Sequence, residues 1–255
     1  MRRVVAIIPA RYESSRLPGK VLAPILGKPM IQRVYESVSR ARGLKPVLVA
    51  TDDERVARAV EEFGGRAVMT SRECASGTDR IAEVVRRSDS GAADADIVVN
   101  VQGDQPFMDP AMIEETVQPL LDDPELPMST VMHPISRPED LEDSAVVKAV
   151  RNLAGDALYF SRSRIPYPQK DLPHPVYEHV GLYAYRRDFL LTFAALPPTP
   201  LERLESLEQL RALENGYRIR VVESRCPDHE LSGFSVDTRE DLARAEQLLR
   251  ARGLE

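Results

Sequence analysis

The sequence has no tryptophan, only 5% aromatic residues and only two cysteines. Single-stranded nucleic acid binds by stacking its bases on aromatic side chains, so their scarcity argues against such a surface. Cys74 and Cys226 are too few and too far apart for a disulfide framework or a four-ligand zinc site, and we interpret both as ordinary thiols. No apolar stretch approaches the ~20 residues that cross a bilayer, and no signal-peptide pattern precedes the first apolar run. We therefore expect a cytoplasmic protein without membrane insertion.

The charge balance excludes a further class of partner. Lysine and arginine number 34 against 40 acidic residues, which gives a net charge of -6. A chain with no overall positive field does not attract nucleic acid non-specifically, so we expect no nucleic-acid partner. The length of 255 residues allows one large α/β domain or one domain with a subdomain.

Short apolar runs alternate with segments of helical periodicity over the first half of the chain. Strands are predicted at 4–8, 47–50, 67–69, 97–101 and 128–132. Helices are predicted at 30–43, 53–63, around 81–85 and at 110–121. This alternation is typical of a doubly wound α/β fold with a mostly parallel sheet.

The rhythm changes after the midpoint. Runs at 146–150, 157–160 and 180–185 predict antiparallel strands, within a smaller inserted subdomain at about 134–190. Four prolines between residues 162 and 175 rule out regular structure there, and we expect an exposed arm that contacts a second subunit. Amphipathic helices are predicted at 202–213 and 238–250, with a strand at 217–222 between them.

A basic loop follows the first predicted strand. Arg11, Arg16 and Lys20 come within a dozen residues, together with Ser14 and Gly19. The carboxyl end of a buried parallel strand is where α/β sheets bind ligands, and cations with hydroxyls and free amides suit a polyphosphate. The loop fits neither the Walker pattern nor the GxGxxG fingerprint. A solvent-exposed charged loop is the alternative interpretation.

Carboxylates follow two other segments. Asp104 comes just after the predicted strand 97–101, at the same sheet edge as the basic loop, where it can hold a magnesium ion against phosphate oxygens. Asp237 precedes the last helix, where it could supply a second carboxylate, but where it or Thr238 could equally act as the N-cap. The pair Asp94 and Asp96 spells the DxD of many glycosyltransferases, but it precedes its strand and belongs to the opposite edge.

Other polar residues allow two interpretations each. Ser76 opens a helix, where its hydroxyl could contact a base or simply cap the helix. His179 and Tyr183 lie on one predicted strand with both side chains on one face, and a structural histidine is the default. Glu205, Glu208 and Gln209 are predicted on one helix. The alternative interpretation is that they form its solvent-exposed face. These residues are candidates for binding, and each alternative stays open on the pattern alone.

Motifs that carry a family resemblance follow one another along the chain. They are Ile8-Pro-Ala-Arg11, Arg16-Leu-Pro-Gly-Lys20, Ser76-Gly-Thr78, Val101-Gln-Gly-Asp104-Gln-Pro, Ala157-Leu-Tyr-Phe-Ser-Arg162, His179-Val-Gly-Leu-Tyr-Ala-Tyr-Arg186, Leu207-Glu-Gln-Leu-Arg211 and Val236-Asp-Thr238. With them the chain resembles the 3-deoxy-manno-octulosonate (Kdo) cytidylyltransferases, or CMP-Kdo synthetases, from residue 7 to about 245. Collinear motifs over this length are far more specific than any single one.

The resemblance implies a nucleotide-diphospho-sugar transferase-like fold with a dimerisation subdomain. It also implies a reaction in which the anomeric hydroxyl of Kdo attacks the α-phosphorus of CTP, expelling pyrophosphate and giving CMP-Kdo for lipopolysaccharide biosynthesis. By similarity, Lys20, Asp104 and Asp237 are catalytic, with Mg²⁺ on the two aspartates. Further similarities place Arg11 and Lys20 at the triphosphate, Ser76 and nearby main chain at the cytosine, and Gln102, His179, Tyr183, Glu208 and Gln209 around the sugar acid. Arg16 is a candidate third cation at the triphosphate, and Ser14 of the basic loop is a further candidate for substrate binding. A homodimer is the family expectation.

One position departs from the family pattern. The family commonly has Gly-Asp-Glu-Pro where this chain has Gly103-Asp104-Gln105-Pro106. That change leaves metal affinity and substrate choice open. Three other functional interpretations compete with the one that the resemblance implies. An enzyme for another acid sugar, such as an amino-substituted Kdo or a sialic acid, would keep the CTP residues. A non-catalytic nucleotide-sugar sensor would bind without turnover, against which Lys20 and both aspartates argue. A glycosyltransferase is disfavoured because its DxD would lie at the wrong edge.

Overall fold

The structure, a computed structural model, describes residues 2–14, 16–170 and 174–253, with the backbone alone for residues 229 and 230. The chain divides into two compact units. The first comprises Met1–Glu114 and Cys226–Glu255, and the second comprises Glu115–Arg225. The predicted subdomain at about 134–190 lies within the range of the second unit.

The described residues form a mixed α/β fold. The strands are β1 (Val4–Pro9), β2 (Pro24–Ile25), β3 (Lys28–Pro29), β4 (Leu44–Thr51), β5 (Ala67–Met69), β6 (Ile97–Val101), β7 (Met128–Pro134), β8 (Lys148–Arg151), β9 (Ala157–Ser161), β10 (Tyr177–Arg186) and β11 (Ile219–Glu223). The helices are α1 (Met30–Ser39), α2 (Glu54–Glu62), α3 (Gly77–Arg86), α4 (Pro110–Asp122), α5 (Arg187–Ala195), α6 (Pro200–Glu205), α7 (Leu210–Glu214), α8 (His229–Ser232) and α9 (Arg239–Ala251).

The first unit contains a parallel sheet in the order β6-β1-β4-β5. Its central strands are buried on both faces, which explains why β1 and β6 are continuous apolar runs without polar alternation. Helices α1, α2 and α3 connect successive strands, as the alternation predicts. The carboxyl ends of β1, β4 and β6 therefore lie at one sheet edge, and the loops that follow them meet there.

Side-chain caps fix where three of these helices begin. Asp53 accepts from the backbone N–H of Arg55 at the start of α2, and Ser76 does the same for Asp79 at the start of α3. Thr238 caps α9 in a capping box with Asp241. The sequence indicates all three ends, because Asp, Ser and Thr are preferred N-cap residues.

The second unit contains a mixed sheet in the order β11-β7-β10-β8-β9. Strand β11 runs parallel to β7, whereas β10 pairs antiparallel with both β7 and β8, and β8 pairs antiparallel with β9. The antiparallel strands predicted in this part of the chain are confirmed. Pairing of β10 with β7 shifts register between Val180 and Tyr183, so a bulge lies within the stretch that carries His179 and Tyr183.

The prediction of one helix over 202–213 is wrong. Two short helices, α6 and α7, take its place, and Ser206 between them has the left-handed values φ 53 and ψ 47. A helix cannot continue through such a residue, because its backbone hydrogen bonds need right-handed values. Glu205 therefore ends α6, whereas Glu208 and Gln209 belong to the turn before α7.

Two other regions bear on the predictions. The described residues of the proline-rich segment, 162–170 and 174–175, contain no helix or strand, which agrees with the sequence; residues 171–173 lie outside the described part. Helix α5 directly follows β10 and was not predicted from its periodicity. Across the described ranges, no helix is both long enough and apolar enough to cross a bilayer.

Candidate active site

The basic loop begins where β1 ends at Pro9. Gly19, with φ 70, precedes a single 3₁₀ turn at Lys20–Leu22 that orients Lys20. A Cβ at Gly19 would come within 3.1 Å of the Tyr12 ring, so the turn requires both the left-handed backbone and the missing side chain. Of the serines in the loop, Ser14 is described and Ser15 lies outside the described residues.

Lys20 lies between the two predicted metal-binding carboxylates. Its Nζ is 2.7 Å from Asp104 Oδ2 and 2.9 Å from Asp237 Oδ1, and it also donates to the carbonyl of Val236 at 3.3 Å. Burial by itself would lower the pKa of Lys20, but the charges and hydrogen bonds of the two carboxylates outweigh it and raise the pKa above 10.5. The lysine is therefore held in its charged form.

Backbone contacts bring the two aspartates together although they are far apart in sequence. Gly103 lies so close to β1 that a Cβ would be 2.7 Å from the carbonyl of Pro9, which lets the end of β6 pack against the end of β1. The N–H of Val236 donates to the carbonyl of Asp104 at 2.9 Å. Because Thr238 is the cap of α9, the carboxylate of Asp237 is left to pair with Lys20 and, at 2.8 Å, with Arg16.

The start of α3 lies at the same edge. Ser76 Oγ accepts from the N–H of Asp79 at 3.1 Å, so its capping role is present. Arg80, one turn into α3, is only 4% exposed, and it donates to Asp52 Oδ2 at 3.1 Å and to Thr70 Oγ1 at 2.5 Å. Sequence analysis gave Arg80 no role, although an arginine on the apolar face of a helix signals a buried, paired cation.

One cleft of about 310 Å³ gathers these groups, all within the first unit. Gln102 also lines it, with its amide nitrogen donating to Asn100 Oδ1 at 3.0 Å. The predicted residues that line the cleft are Arg11, Ser14, Arg16, Lys20, Ser76, Gln102, Asp104 and Asp237; Arg80 and Cys74 line it as well. Burial raises the pKa of the Cys74 thiol to about 11, and its Sγ donates to Glu83, so Cys74 is not a thiolate.

The Asp94-Ala-Asp96 sequence lies away from this cleft, as its position before β6 predicts. Arg3 binds both carboxylates, with its side chain on Asp94 and its backbone N–H on Asp96 Oδ2 at 2.6 Å. Both aspartates therefore tie the first residues of the chain to the entry of β6. This placement does not support a role in binding the metal ion of a nucleotide sugar.

A second cluster of predicted residues lies within the second unit. Tyr183 donates its hydroxyl to Gln209 Oε1 at 3.2 Å, and the rings of His179 and Tyr183 are 5.4 Å apart between centroids. Gln209 is 3% exposed and His179 is 8% exposed. Glu208 lies beside Arg211, 3.8 Å from its guanidinium. Because the helix breaks at Ser206, Gln209 contacts Tyr183, whereas Glu205 contacts Ser161 and Arg162.

Burial keeps His179 and Tyr183 of this second cluster uncharged. It lowers the pKa of His179 to about 3, and it raises the pKa of Tyr183 far above its ordinary value, with the charge of Glu208 adding to the rise. His179 Nε2 lies 2.8 Å from Thr130 Oγ1, and that hydroxyl also lies 2.8 Å from the carbonyl of Leu182. Since the hydroxyl has one proton for the carbonyl, Nε2–H donates to it and Nδ1 is left as an acceptor.

The predicted site residues thus form two groups. Those expected at the triphosphate, the base and the metal, together with Gln102, meet in the first unit. His179, Tyr183, Glu208 and Gln209 meet in the second. Among the described residues, no group of three or more His, Cys, Asp or Glu side chains could hold a metal ion. The aspartate pair is therefore the candidate for one, with phosphate as the remaining ligand.

Comparison with known proteins agrees with this geometry. The family model of the cytidylyltransferases matches residues 5–219. A 3-deoxy-manno-octulosonate cytidylyltransferase of Syntrophotalea carbinolica is 52% identical, over 97% of this chain and 98% of that protein. The same enzyme of Syntrophus aciditrophicus is 53% identical over 99% of each chain.

Solved structures give the same result. That of CMP:2-keto-3-deoxy-manno-octonic acid synthetase complexed with CTP has a TM-score of 0.90 and 46% identity, over 98% of this chain and 99% of that one. A cytidylyltransferase of Leptospira borgpetersenii, at 15% identity and a TM-score of 0.65, shares the fold alone. Fold and cleft together define a cytidylyltransferase. Within that class, the chain belongs to the 3-deoxy-manno-octulosonate cytidylyltransferase family.

Proposed function

We propose that this protein transfers CMP from CTP to Kdo, giving CMP-Kdo and releasing pyrophosphate. The observation that carries the proposal is the contact of Lys20 with both Asp104 and Asp237 in a cleft that Arg11, Arg16 and Ser76 also line. Relatives with that activity in their names match over nearly the whole chain. A cation between two carboxylates, beside further cations, suits a metal-bound triphosphate.

The aspartate pair fits Mg²⁺. Two carboxylates on different segments already converge on one positive charge, the Lys20 ammonium, at 2.7 and 2.9 Å. Mg²⁺ usually takes one or two protein carboxylates and completes its shell with phosphate and water, so Asp104 and Asp237 would hold it. When bound, it neutralises charge on the phosphates during the transfer.

The protein's own residues supply positioning and charge. Transfer at phosphorus depends mainly on in-line placement of the attacking oxygen and on neutralising charge that develops on phosphate oxygens. Lys20, Arg11 and Arg16 lie in the cleft as permanent cations for that purpose. We propose that the start of α3 at Ser76 and its neighbouring main chain face the cytosine, because the free N–H groups of a helix start can bind its polar atoms.

On the sugar side, three of the four proposed contacts in the second unit carry no charge: His179, Tyr183 and Gln209. His179 and Gln209 are buried, and buried polar groups hydrogen-bond a polyhydroxylated acid in a way that discriminates among hydroxyl patterns. A His179 whose pKa is about 3 is too weak a base to take a proton at neutral pH. We therefore propose that His179 orients the sugar acid through Nδ1 and that it does not deprotonate the anomeric hydroxyl.

Pyrophosphate release from the purified protein tests the proposal. The reaction would contain CTP and Mg²⁺, with and without Kdo; ATP, GTP and UTP would be the nucleotide controls and a sialic acid and an amino-substituted Kdo the sugar controls. Release that requires both CTP and Kdo is expected. Release with another sugar acid in preference to Kdo would contradict the substrate, and CTP binding without release for any sugar would contradict the enzyme.

We also propose a homodimer. Leu153, in the turn between β8 and β9, and Leu158, on β9, are 109% and 61% exposed, and Tyr167 is 80% exposed. These are among the most exposed large apolar side chains of the second unit, and exposed apolar patches mark interaction surfaces. Light scattering on the wild type and on Leu153→Asp would test this: a dimer that the substitution weakens is expected, and a monomeric wild type at micromolar concentration would contradict it. Placement in the cytoplasm and in lipopolysaccharide biosynthesis is part of the proposal and rests on the family resemblance.

A further inference from the structure

The break between α6 and α7 lies next to the second cluster. Ser206 is one of two non-glycine residues with positive φ among those described, and serine has no intrinsic preference for that conformation. Backbone of this kind persists only where surrounding contacts hold it, and it concentrates at functional sites. The question is what holds Ser206.

Arg162 and Glu205 bind each other beside the break, each through its side chain to the backbone of the other. The Glu205 carboxylate accepts from the hydroxyl of Ser161 at 2.7 Å and from the backbone N–H of Arg162 at 3.0 Å. In return, Arg162 Nε donates to the backbone carbonyl of Glu205 at 2.7 Å. Each residue thus fixes the main chain of the other, and we name this pair the Arg162–Glu205 clamp.

The same guanidinium reaches two further carbonyls. Its Nη1 donates to Ser144 at 2.9 Å and its Nη2 to Ser206 at 3.5 Å. Arg162 therefore joins three segments: the end of β9, the turn before β8 and the left-handed residue itself. Only an arginine can do this with one side chain, because its donors are spread over a rigid planar fork.

Gln209 lies three positions after Ser206. Backbone bonds within this stretch run from Leu207 N–H to the Glu202 carbonyl and from Leu210 N–H to the Leu207 carbonyl, so it is a tight turn. Gln209 ends it, with Oε1 on the Tyr183 hydroxyl and with Nε2 buried and making no hydrogen bond within the described structure. A buried amide donor without a partner is a group that a ligand can satisfy.

We propose that Arg162 and Glu205 are positioning residues for the sugar acid: they hold Ser206 left-handed and thereby set Gln209 and Glu208 for Kdo. The inference rests on the proposed function and deepens it. Neither residue touches substrate in this proposal. Their effect passes through the turn at 206–209, where a displacement of about 1 Å can cost on the order of 10²-fold in rate.

Glu205→Ala tests the clamp directly. It removes both acceptors, and we expect kcat/KM for Kdo to fall by about 10- to 100-fold while the affinity for Mg²⁺-CTP, measured by calorimetry without sugar, changes less than about twofold. Glu205→Gln should retain most of the activity, because one amide oxygen can accept from Arg162 N–H while its NH₂ donates to Ser161 Oγ. Arg162→Lys should lie between them, since one ammonium cannot replace the fork.

Ser206→Gly separates positioning from a general loss of folding. Glycine adopts positive φ without help, so adding Ser206→Gly to Glu205→Ala should recover at least about threefold of the lost kcat/KM for Kdo. Arg137→Lys is the matched control: Arg137 is also a half-buried arginine of the second unit bound to a carboxylate, Asp140, at 2.6 and 2.8 Å. It should leave the kinetic constants for both substrates unchanged.

The outcomes distinguish the two proposals. A wild type that releases pyrophosphate with Kdo while Glu205→Ala does so equally well would overturn the clamp alone. An equal fall in CTP affinity and in Kdo use, or no recovery with Ser206→Gly, would also overturn it, since the effect would then be one of general folding. A wild type inactive with Kdo would overturn the proposed function before any variant is compared.

Discussion

The cleft of the first unit and the cluster of the second unit differ in the charge and exposure of their side chains. The cleft contains Arg11, Arg16 and Lys20 with two aspartates, and its ion pairs are partly exposed: the side chains of Lys20, Asp104 and Asp237 are 14%, 27% and 31% exposed. The cluster contains a buried neutral histidine, a buried amide, a tyrosine, and the carboxylate of Glu208, which is 29% exposed. Most groups of the cleft are charged and partly hydrated, whereas most groups of the cluster are uncharged.

The difference fits the ligand proposed for each. A triphosphate carries charge that must be neutralised, and ion pairs that are partly hydrated can exchange partners at modest cost. Buried polar groups cannot exchange partners cheaply, because each one left unpaired costs the full desolvation of that group. In the proposed sugar site they would reject a ligand with the wrong hydroxyl pattern. Under the proposed function, the cleft drives the reaction and the cluster selects the sugar.

The strongest test of this comparison removes a charge from the cleft. Asp104→Asn should lower turnover at least ~100-fold, comparable to the loss of one preorganised electrostatic group. The substitution keeps the shape of the side chain but removes the charge that pairs with Lys20 and that would hold the proposed metal ion. Steady-state pyrophosphate release at saturating Mg²⁺ measures it. Turnover near that of the wild type would remove Asp104 from the mechanism.

Asp94→Asn is the matched control for that substitution. Asp94 is also an aspartate beside β6, but it lies at the entry of the strand, pairs with Arg3 and is 70% exposed at the side chain. Turnover within about twofold of the wild type is expected, because an exposed ion pair contributes little. A loss as large as that of Asp104→Asn would instead implicate the opposite edge of the sheet.

The other face of β10 provides a second test, in stability rather than in rate. Glu178 pairs across the strands with His133 and with Lys148, and burial raises its pKa from 4.5 to about 7, with Asp140 adding to the rise. The folded protein then holds a proton that the unfolded chain has lost, so stability falls as the pH rises from about 4.5 to about 7. The shift corresponds to roughly 3 kcal/mol, which we reduce to about 2 kcal/mol because a quarter of the side chain is exposed.

Urea unfolding at pH 5 and pH 8 measures this contribution. Between pH 5 and pH 8, the free energy of unfolding should fall by about 2 kcal/mol more in the wild type than in Glu178→Gln, since the amide does not titrate. His133 Nε2 lies 3.7 Å from Glu178 Oε2. When His133 is protonated, its positive charge favours the ionised carboxylate and so opposes the rise in the pKa of Glu178. A wild type that gains stability relative to Glu178→Gln as the pH rises would show that an ion pair with a neighbouring cation outweighs burial.

Much of this architecture follows from the sequence alone. The strands at β1, β4, β5 and β6 are found within a few residues of their predicted ends, because a parallel strand buried on both faces must be an apolar run. The order of strands and loops then places Lys20 and Asp104 at one sheet edge. The cleft could be predicted for that reason: each of its segments follows from local pattern and the topology of a parallel sheet.

The second unit could be predicted less well, for reasons visible at particular residues. Ser206 is neither glycine nor asparagine, and Arg162, more than forty positions earlier, holds its conformation; local periodicity carries no sign of that contact. Helix α5 begins at Arg187 directly after β10, without the loop that usually separates two elements. In the first unit, the role of Arg80 was missed because its partners Asp52 and Thr70 come from the loops after β4 and β5.

A smaller effect is expected from the buried cluster. Tyr183→Phe removes the hydroxyl that donates to Gln209, which leaves a buried acceptor without a partner, so kcat/KM for Kdo should fall about tenfold with CTP affinity unchanged. Tyr177→Phe is the control on the same strand: its hydroxyl also donates to a side-chain oxygen, the carboxylate of Glu223 at 3.3 Å, but away from the cluster. An equal fall in both variants would point to the strand rather than to the hydroxyl.

The smallest effect is expected from the removal of two helix caps. Ser76 lines the cleft, whereas Asp53 is not among the residues that line it. Ser76→Ala and Asp53→Ala each remove the cap of a helix and should each lower the free energy of unfolding by about 1 kcal/mol. If Ser76 also contributes to the base site, its substitution alone should weaken Mg²⁺-CTP binding, by about fivefold in calorimetry. Equal CTP affinity in the two variants would mean that Ser76 acts only as a cap, and that the main chain at the start of α3 does whatever base recognition takes place there.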